Sequence, residues 1–371
     1  MIHDPLISVV IASYQHESFI VEAIQSILDQ SFQDFEIIIT DDGSSDNSVQ
    51  KIKAIKDPRI TLFEFEVNQG ACAAMNNCII NARGKYIAVM NSDDFWVKDK
   101  LKKQIEFLSE NKTISAVFSY AELCNEELSE VNHNTNSTIA DIFNQKNRTS
   151  EEWLNKFFYE GNCLCHPSVL IKKSCYDELG LYDNRFRQLP DFDMWTRFCK
   201  KYSLHVLPEK LVKFRLLSGN KNASSPTISN QFRDRNERRL IMQSFFDNME
   251  ISTFKKAFSK QLNNKNFTSL DDFEIEKALL YFGTKHSIIG IESLFRLLGR
   301  KEFIHSLKEN YGITYTEFHN LSQKVIAFEE EGMDIILQAL FIKLKKYPKL
   351  KLAKIVTRKL INYFLNLFIK K

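Results

Sequence analysis

Apolar and polar positions alternate along the first ninety residues in blocks that predict strands and helices in turn. Leu6 to Ala12 is largely apolar and β-branched, and the polar Ser13-Tyr14-Gln15-His16 reads as the turn that ends it. Ser18 can cap a helix running to about Gln30, because Ile20, Ala23, Ile24, Ile27 and Leu28 recur at helical spacing. Phe35 to Thr40 predicts a second strand, closed by the turn Asp41-Asp42-Gly43. Ser44 to Ile55 predicts a helix capped by Ser45 or Asp46, and Ile60 to Phe65 a third strand. Asn68-Gln69-Gly70 is a turn signal, Ala71 to Ala82 a helix of small residues, and Tyr86 to Met90 a fourth strand. Strands and helices joined by such short links predict a parallel α/β layer.

Further along, Lys98 to Asn111 predicts a helix and Ser115 to Leu123 a strand. Residues 125–150 are poor in apolar runs and rich in Asn, Ser and Thr, so they read as a long mobile excursion of the functional kind. Glu151 to Phe158 predicts a short helix, Pro167 to Lys172 a strand, and Cys175 to Leu179 a helix closed by Gly180. Met194 to Tyr202 reads as helical and Leu204 to Phe214 as extended. No proline separates Pro226 from Pro348, and apolar residues there keep helical spacing. The expected organisation is therefore an α/β domain over 1–225 and a helical region over 226–371.

Charge changes the picture at the C-terminus. From Ile335 to Lys371 there are ten Lys or Arg and no Asp or Glu, which leaves 40 basic against 47 acidic residues in the first 334. The body thus lacks the charge of a nucleic-acid binder, and its basic residues form no recognition motif. Leu350 to Ile369 predicts one amphipathic helix. Leu352, Val356, Leu360, Tyr363, Phe364, Leu367 and Phe368 share a face opposite Lys351, Lys354, Arg358 and Lys359. Such a helix suits an anionic membrane surface, or packing on the protein's own core with a solvated basic face. No uncharged run reaches the roughly 18 residues of a membrane span, and no signal peptide is expected. The seven cysteines form no CxxC pair and read as reduced, buried thiols of a cytosolic protein. Cys163-Leu164-Cys165-His166 lacks the second ligand pair that a zinc site needs.

Acidic residues stand where the strands end. Asp41-Asp42 follows the second strand, Asn91-Ser92-Asp93-Asp94 follows the fourth, and Asp191 and Asp193 open a helical segment. Ligands of open α/β sheets bind at that rim, and carboxylates there suit a divalent metal and a diphosphate. Tyr14, just past a strand end, can stack on a flat base. Asp42 can accept a hydrogen bond from a base N–H, or bond its own turn. Asp193 is spaced to pair with Arg197 at i,i+4.

These pieces occur in an order that resembles glycosyltransferase family 2. They are Ser8-Val9-Val10-Ile11-Ala12-Ser13-Tyr14, Ser26 through Asp46, Asn68-Gln69-Gly70, Ala82-Arg83-Gly84-Lys85-Tyr86-Ile87, Ser92-Asp93-Asp94, His166-Pro167-Ser168 and Asp191-Phe192-Asp193-Met194-Trp195. The resemblance implies a GT-A-type, Rossmann-like, mostly parallel sheet with flanking helices. It implies an inverting transfer from a nucleoside-diphosphate sugar, UDP-linked foremost, to a hydroxyl of a glycan or lipid-linked glycan. Mn2+ or Mg2+ would be the cofactor, held by Asp94, with Asp93 at the ribose. Ala12, Tyr14, Asp42 and Asn68 would complete the nucleotide site, and Asp191 would be the general base. His166, Trp195 and Arg215 are candidates for acceptor or diphosphate contacts, with Ser218 beside Arg215. The chain departs from the usual family pattern at Met75, Asn91 and Pro190.

Two other readings remain open on sequence. A sugar-phosphate nucleotidyltransferase shares the sheet type, but would want a Gly-rich basic loop where Ser13 to Ser18 stands. A catalytically inactive GT-A-like module tethered at a membrane draws on the three departures. A dehydrogenase is disfavoured, because no GxGxxG follows the first strand.

Overall fold

The structure is a computed structural model that describes residues 4–325, apart from 132–141, 221, 223, 224, 264, 266 and 268. The excursion at 125–150 is therefore described only in part, and the amphipathic tail lies outside the described residues. The chain divides into two compact units, one formed by 1–225 with 237–273, the other by 226–236 with 274–371.

In the first unit, β1 (Ile7–Ser13), α1 (Ile20–Leu28), β2 (Phe35–Asp41), α2 (Ser48–Ala54), β3 (Ile60–Glu64), α3 (Ala71–Asn81) and β4 (Tyr86–Asn91) alternate as the patterning predicts. β5 (Phe95–Trp96), α4 (Lys100–Glu110), β6 (Ile114–Cys124), α5 (Ser150–Tyr159), β7 (Leu170–Lys172), α6 (Lys173–Leu179), α7 (Pro190–Cys199) and β8 (Ser203–Arg215) follow. All eight strands form one sheet in the order β3-β2-β1-β4-β7-β6-β8-β5. The pairs among β1 to β4 and the pair β6–β8 are parallel. The short strands β5 and β7 run antiparallel to their neighbours, so the sheet is mixed.

Both faces of β1, β2 and β4 are covered, which is why these strands read as near-continuous apolar runs. Val9, Ile11, Ile37, Ile39, Ala88 and Met90 pack with Ile20, Ala23, Ile24 and Ile27 of α1 and Leu101 of α4 in one core. Several boundaries differ from the sequence expectation for local reasons. α2 starts at Ser48, because Asp46 accepts the Ser48 N–H at 3.0 Å while Ser44 turns back onto Asp41. His166–Ser168 is a 3-10 turn, not the start of a strand, since Pro167 has no N–H to give a ladder. α7 begins at Pro190, where a missing N–H costs nothing.

Buried polar side chains pin that 3-10 turn to the sheet. The Trp96 indole N–H donates to Pro167 O at 3.0 Å, and Gln104 Nε2 donates to Val117 O and Ser168 O at 2.9 and 2.7 Å. The turn is thereby fixed against β5, the strand that follows Asp93-Asp94.

Residues 237–273 add an aromatic layer to this unit. α8 (Ile228–Gln243) ends in it, and α9 (Ile251–Ala257) lies wholly within it. Phe158 of α5 sits 5.2 Å, centroid to centroid, from each of Phe245, Phe246 and Phe258. Such pairs add about 0.5–1.5 kcal/mol each beyond their buried area. The second unit packs the part of α10 (Leu270–Leu280) from Glu274 on, α11 (Ser287–Leu298), α12 (Lys301–Tyr311) and α13 (Tyr315–Ser322) around Ile275, Leu294, Leu298, Phe303 and Leu307. No helix among the described residues is long and apolar enough to cross a membrane.

The turn before β4 is tied to β1 and β2. Ser8 Oγ donates to Glu36 Oε1 at 2.7 Å and accepts the Gly84 N–H at 2.8 Å, while Arg83 clasps the same carboxylate. Burial pushes Glu36 up, but the bonds from Ser8 and Arg83 outweigh it and hold the carboxyl below its usual range. A Cβ on Gly84 would stand 2.5 Å from Ser8 N and 2.7 Å from Ile7 C. Gly84→Ala should therefore lower the unfolding free energy by about 1–3 kcal/mol in a urea titration. An unchanged midpoint would mean that β1 can retreat freely.

Candidate active site

The register sets the rim. Ser13 stands opposite Asp41 on β2, and Ala12 opposite Asn91 on β4. The chain segments leaving β1, β2 and β4 therefore start side by side at the carboxyl edge of the sheet. Asp42 N–H donates to Ser13 O at 2.8 Å and joins two of them.

The adjacent aspartates of β2 have different work. Asp41 closes its own turn, accepting from Ser44 N and Ser44 Oγ at 2.8 Å each. Asp42 reaches across to the turn before α3, accepting the N–H of Gln69 at 2.7 Å on Oδ1 and of Gly70 at 2.9 Å on Oδ2. Burial pushes the Asp42 carboxyl up, more than those two amides lower it. The clamp fixes Asn68, which is exposed beside it, and Tyr14 stands 44% exposed past the end of β1.

After β4 the chain buries two carboxylates in succession. Asp94 is 1% exposed; its Oδ1 accepts the Arg215 backbone N–H at 2.8 Å and its Oδ2 the Asn91 side-chain amide at 2.8 Å. Asp93 accepts from Asn222 Nδ2 at 3.3 Å. Burial, then the neighbouring Asp93 charge, push Asp94 well above the ordinary carboxylate range, and burial raises Asp93 as well. His16, whose Nδ1 lies 2.7 Å from Ser92 Oγ, and the Arg215 guanidinium stand close by. β5 brings Arg215 there, because Phe95 pairs with Lys213 and so lays the end of β8 beside Asp94.

Arg215 is fully buried. Its Nη2 pairs with Glu22 of α1, and its guanidinium carbon lies 4.8 Å from the Phe19 ring centroid. Nε and Nη1 have no hydrogen-bond partner among the described residues. Ser218 turns away instead, donating through N and Oγ to Glu126.

A third acidic residue sits in the first turn of α7. Asp191 Oδ2 accepts the Asn162 amide at 2.7 Å, and Oδ1 accepts the Phe192 N–H at 2.8 Å. Burial pushes Asp191 up to about 6. Asp193 faces elsewhere and pairs with Arg197 at 2.8 Å. His166 Nε2 lies 2.8 Å from the Tyr182 hydroxyl, and burial pulls the imidazole down to about 4, so it is neutral near pH 7. Trp195 is fully buried, edge-on to Phe118 with centroids 4.9 Å apart and 6.1 Å from the His166 ring. Cys165 links the two acidic centres: burial raises its thiol, and the charges of Asp94 and of Asp191 both push it further.

Several partners escaped the sequence reading. Asn162, Glu22, Asn222 and His16 act through contacts far apart in the chain, and no spacing signal marks them. The three departures from the family pattern have local uses. Asn91 supplies an amide to Asp94 where a third carboxylate would repel it; Met75 is buried in α3; Pro190 opens α7.

Residues 8–174 match the family model described as glycosyl transferase family 2. The chain is 31% identical over 217 residues to an uncharacterized glycosyltransferase of Methanocaldococcus jannaschii, covering 57% of this chain and 71% of that protein. It is 31% identical over 220 residues to TuaG of Bacillus subtilis, a putative teichuronic acid biosynthesis glycosyltransferase, covering 58% and 80%. Other relatives are longer: the chain spans 35% of a Rickettsia felis glycosyltransferase. The chain belongs to glycosyltransferase family 2. Among solved structures, Staphylococcus aureus TarS 1-349 with UDP-GlcNAc superposes at a TM-score of 0.52 with 17% identity, covering 73% of this chain and 79% of that one. The mannosyltransferase PcManGT of Pyrobaculum calidifontis, with GDP-Man and Mn2+, gives 0.51 with 14% identity and 86% of each chain. The fold is of the GT-A type, and the protein is a glycosyltransferase.

Asp42 gives a direct test of the clamp. Asp42→Ala strands two amides at the head of α3, and should cost about 1–3 kcal/mol in chemical denaturation without ligand. Unaltered stability would mean that the clamp is dispensable.

Proposed function

We propose that the chain is an inverting transferase. It moves a sugar from a nucleoside-diphosphate sugar, UDP-linked foremost, to a hydroxyl of a glycan or lipid-linked glycan. The observation that carries this reading is the buried pair Asp93-Asp94 beside a buried Arg215 with two unpartnered guanidinium nitrogens. A carboxylate pair kept from water favours a counter-cation, and free guanidinium donors favour a phosphate.

The donor set suits Mn2+ or Mg2+. Its oxygens are hard, and no group of three or more His, Cys, Asp or Glu among the described residues could hold an ion. Diphosphate and water oxygens would therefore fill the remaining positions, as these ions allow. Asp94 would hold the ion and Asp93 the ribose side; when bound, the ion supplies neutralisation of charge on the departing diphosphate. Arg215 binds the diphosphate through Nε and Nη1, already desolvated and held by Glu22. Tyr14 stacks on the base, while Ala12, Asn68 and the remaining lone pairs of Asp42 line it. Asp191 accepts the acceptor hydroxyl proton as that oxygen attacks opposite the leaving group, which inverts the anomeric centre. Its raised carboxyl is basic enough for the transfer yet ionised at neutral pH.

His166, held neutral by burial, lines the acceptor side. The name of the TuaG relative supports a polymeric glycan as acceptor. On this reading the transferase domain over 1–225 is completed by 237–273, and the basic tail holds the enzyme at the cytoplasmic face of an anionic membrane.

A thermal-shift screen of UDP-, GDP- and TDP-sugars with Mn2+ should reveal one stabilising donor. EDTA or Asp94→Asn should remove most of that shift, and a shift of equal size without metal would overturn the metal's role.

Asp191→Asn should keep the donor shift and lower turnover by ~10²–10⁴-fold. Wild-type turnover should fall as pH drops through about 6, because the base must be ionised. The same raised carboxyl favours folding when protonated, a contribution that is lost as pH rises through about 6. The asparagine variant should therefore be no less stable at neutral pH. A turnover profile that stays flat down to about pH 5 would remove Asp191 from the base role.

A further inference from the structure

Two consecutive residues of α8 address the segment that presents Asp191. The buried carboxylate of Glu237 accepts the N–H of Arg187 at 3.0 Å, of Gln188 at 2.7 Å and of Leu189 at 2.8 Å. These are the three amides immediately before α7, so one side chain fixes the backbone that leads into the helix.

Arg238 lies over the other side. Its guanidinium carbon is 5.7 Å from the Phe192 ring centroid. A Cβ on Gly161 would fall 2.3 Å from its Nη1, so the guanidinium rests against the Gly161 backbone. Gly161 precedes Asn162, and Phe192 follows Asp191. Arg238 therefore rests against the two residues that flank the hydrogen-bonded Asn162 and Asp191 in sequence. Gly161, at φ +90°, gives the chain both the turn and the space for that seat.

We infer that Glu237 and Arg238 are positioning residues for Asp191: Glu237 fixes the loop that carries it, and Arg238 keeps its carboxylate charged without touching substrate. The inference rests on Asp191 being the base. A desolvated carboxylate tends to take up a proton, and a base in that state is useless. The groups around Asp191 make Arg238 the countervailing charge. On α7, Asp193 is tied to Arg197. Cys72 of α3, Cys165 before the 3-10 turn and Tyr182 all feel the Asp191 charge, and burial pushes each of them up, Cys72 to about 12. They are therefore neutral near pH 7. Glu237 is an acid whose oxygens are turned onto the 187–189 amides. The hydrogen bonds from Phe192 and Asn162 offset the burial of Asp191 most, and Arg238 is the cation whose field adds to them in favouring the ionised form.

The test uses the full chain labelled with 13Cγ-aspartate, the Asp191 resonance being the one lost in Asp191→Asn. Its midpoint in the wild type should lie at about 6. Arg238→Met should raise that midpoint by roughly 0.5–1 pH unit, and Arg238→Lys should keep it within about 0.3. If the methionine variant fails to fold, Arg238→Gln reads the same quantity. An unmoved midpoint in the folded neutral variant overturns the role of Arg238. Glu237→Gln, and more so Glu237→Ala, should lower turnover at least about 10-fold with the donor selected by thermal shift, leaving that shift intact. Equal turnover overturns the role of Glu237. Should Asp191→Asn keep full turnover, the base reading fails, while the NMR midpoints still report whether Arg238 governs that carboxylate.

Discussion

Two neighbouring carboxylates held out of water organise this molecule. A buried charge is tolerated only where hydrogen bonds or counter-charges meet it. Asp94 draws a side-chain amide from Asn91 and a main-chain N–H from Arg215, and so binds the end of β4 to the end of β8. Arg215 in turn holds Glu22 of α1 and lies against Phe19. The two-residue strand β5 makes this possible, since its antiparallel pairing carries the last residues of β8 back to the rim. Loosening any of these ties would leave a charge buried without its partner, which costs far more than an exposed ion pair contributes.

The same residue type serves three ends here, and environment separates them. Asp41 is consumed by its own turn. Asp42 is a brace between two loops, and burial raises it despite two amides. Asp191 stands apart from the paired carboxylates, with one amide on each oxygen and burial lifting it to about 6. Environment thus separates a buried carboxylate pair after β4 from a single raised carboxylate in the first turn of α7.

Much of this was legible in the chain. The first four strands, the helices between them and the acidic strand ends follow from β-branched runs, helical spacing and turn residues, all of them local signals. What escaped is non-local or very short. β5 has two residues, too few for periodicity to mark. The antiparallel insertion of β7 leaves no trace in composition, so the sheet reads as more uniformly parallel than it is. Helix starts moved where Asp46 or Pro190 set the first turn. Trp195, four residues after Asp191, is fully buried with its ring edge-on to Phe118, a contact no spacing marks. Asn162 and Asn222 are single polar residues whose partners lie far away in sequence, and only the folded chain reveals them.

The aromatic layer of 237–273 has a bearing on how this enzyme can be cut and recombined. The family match ends at residue 174, yet Glu237, beyond it, supplies the acceptor for three amides ahead of α7. A fragment stopped at residue 225, or a hybrid exchanging only that portion with a relative, would carry the candidate base on an unanchored lead-in. The smallest transplantable module is discontinuous, and its last piece is a phenylalanine-lined clasp closing on α5.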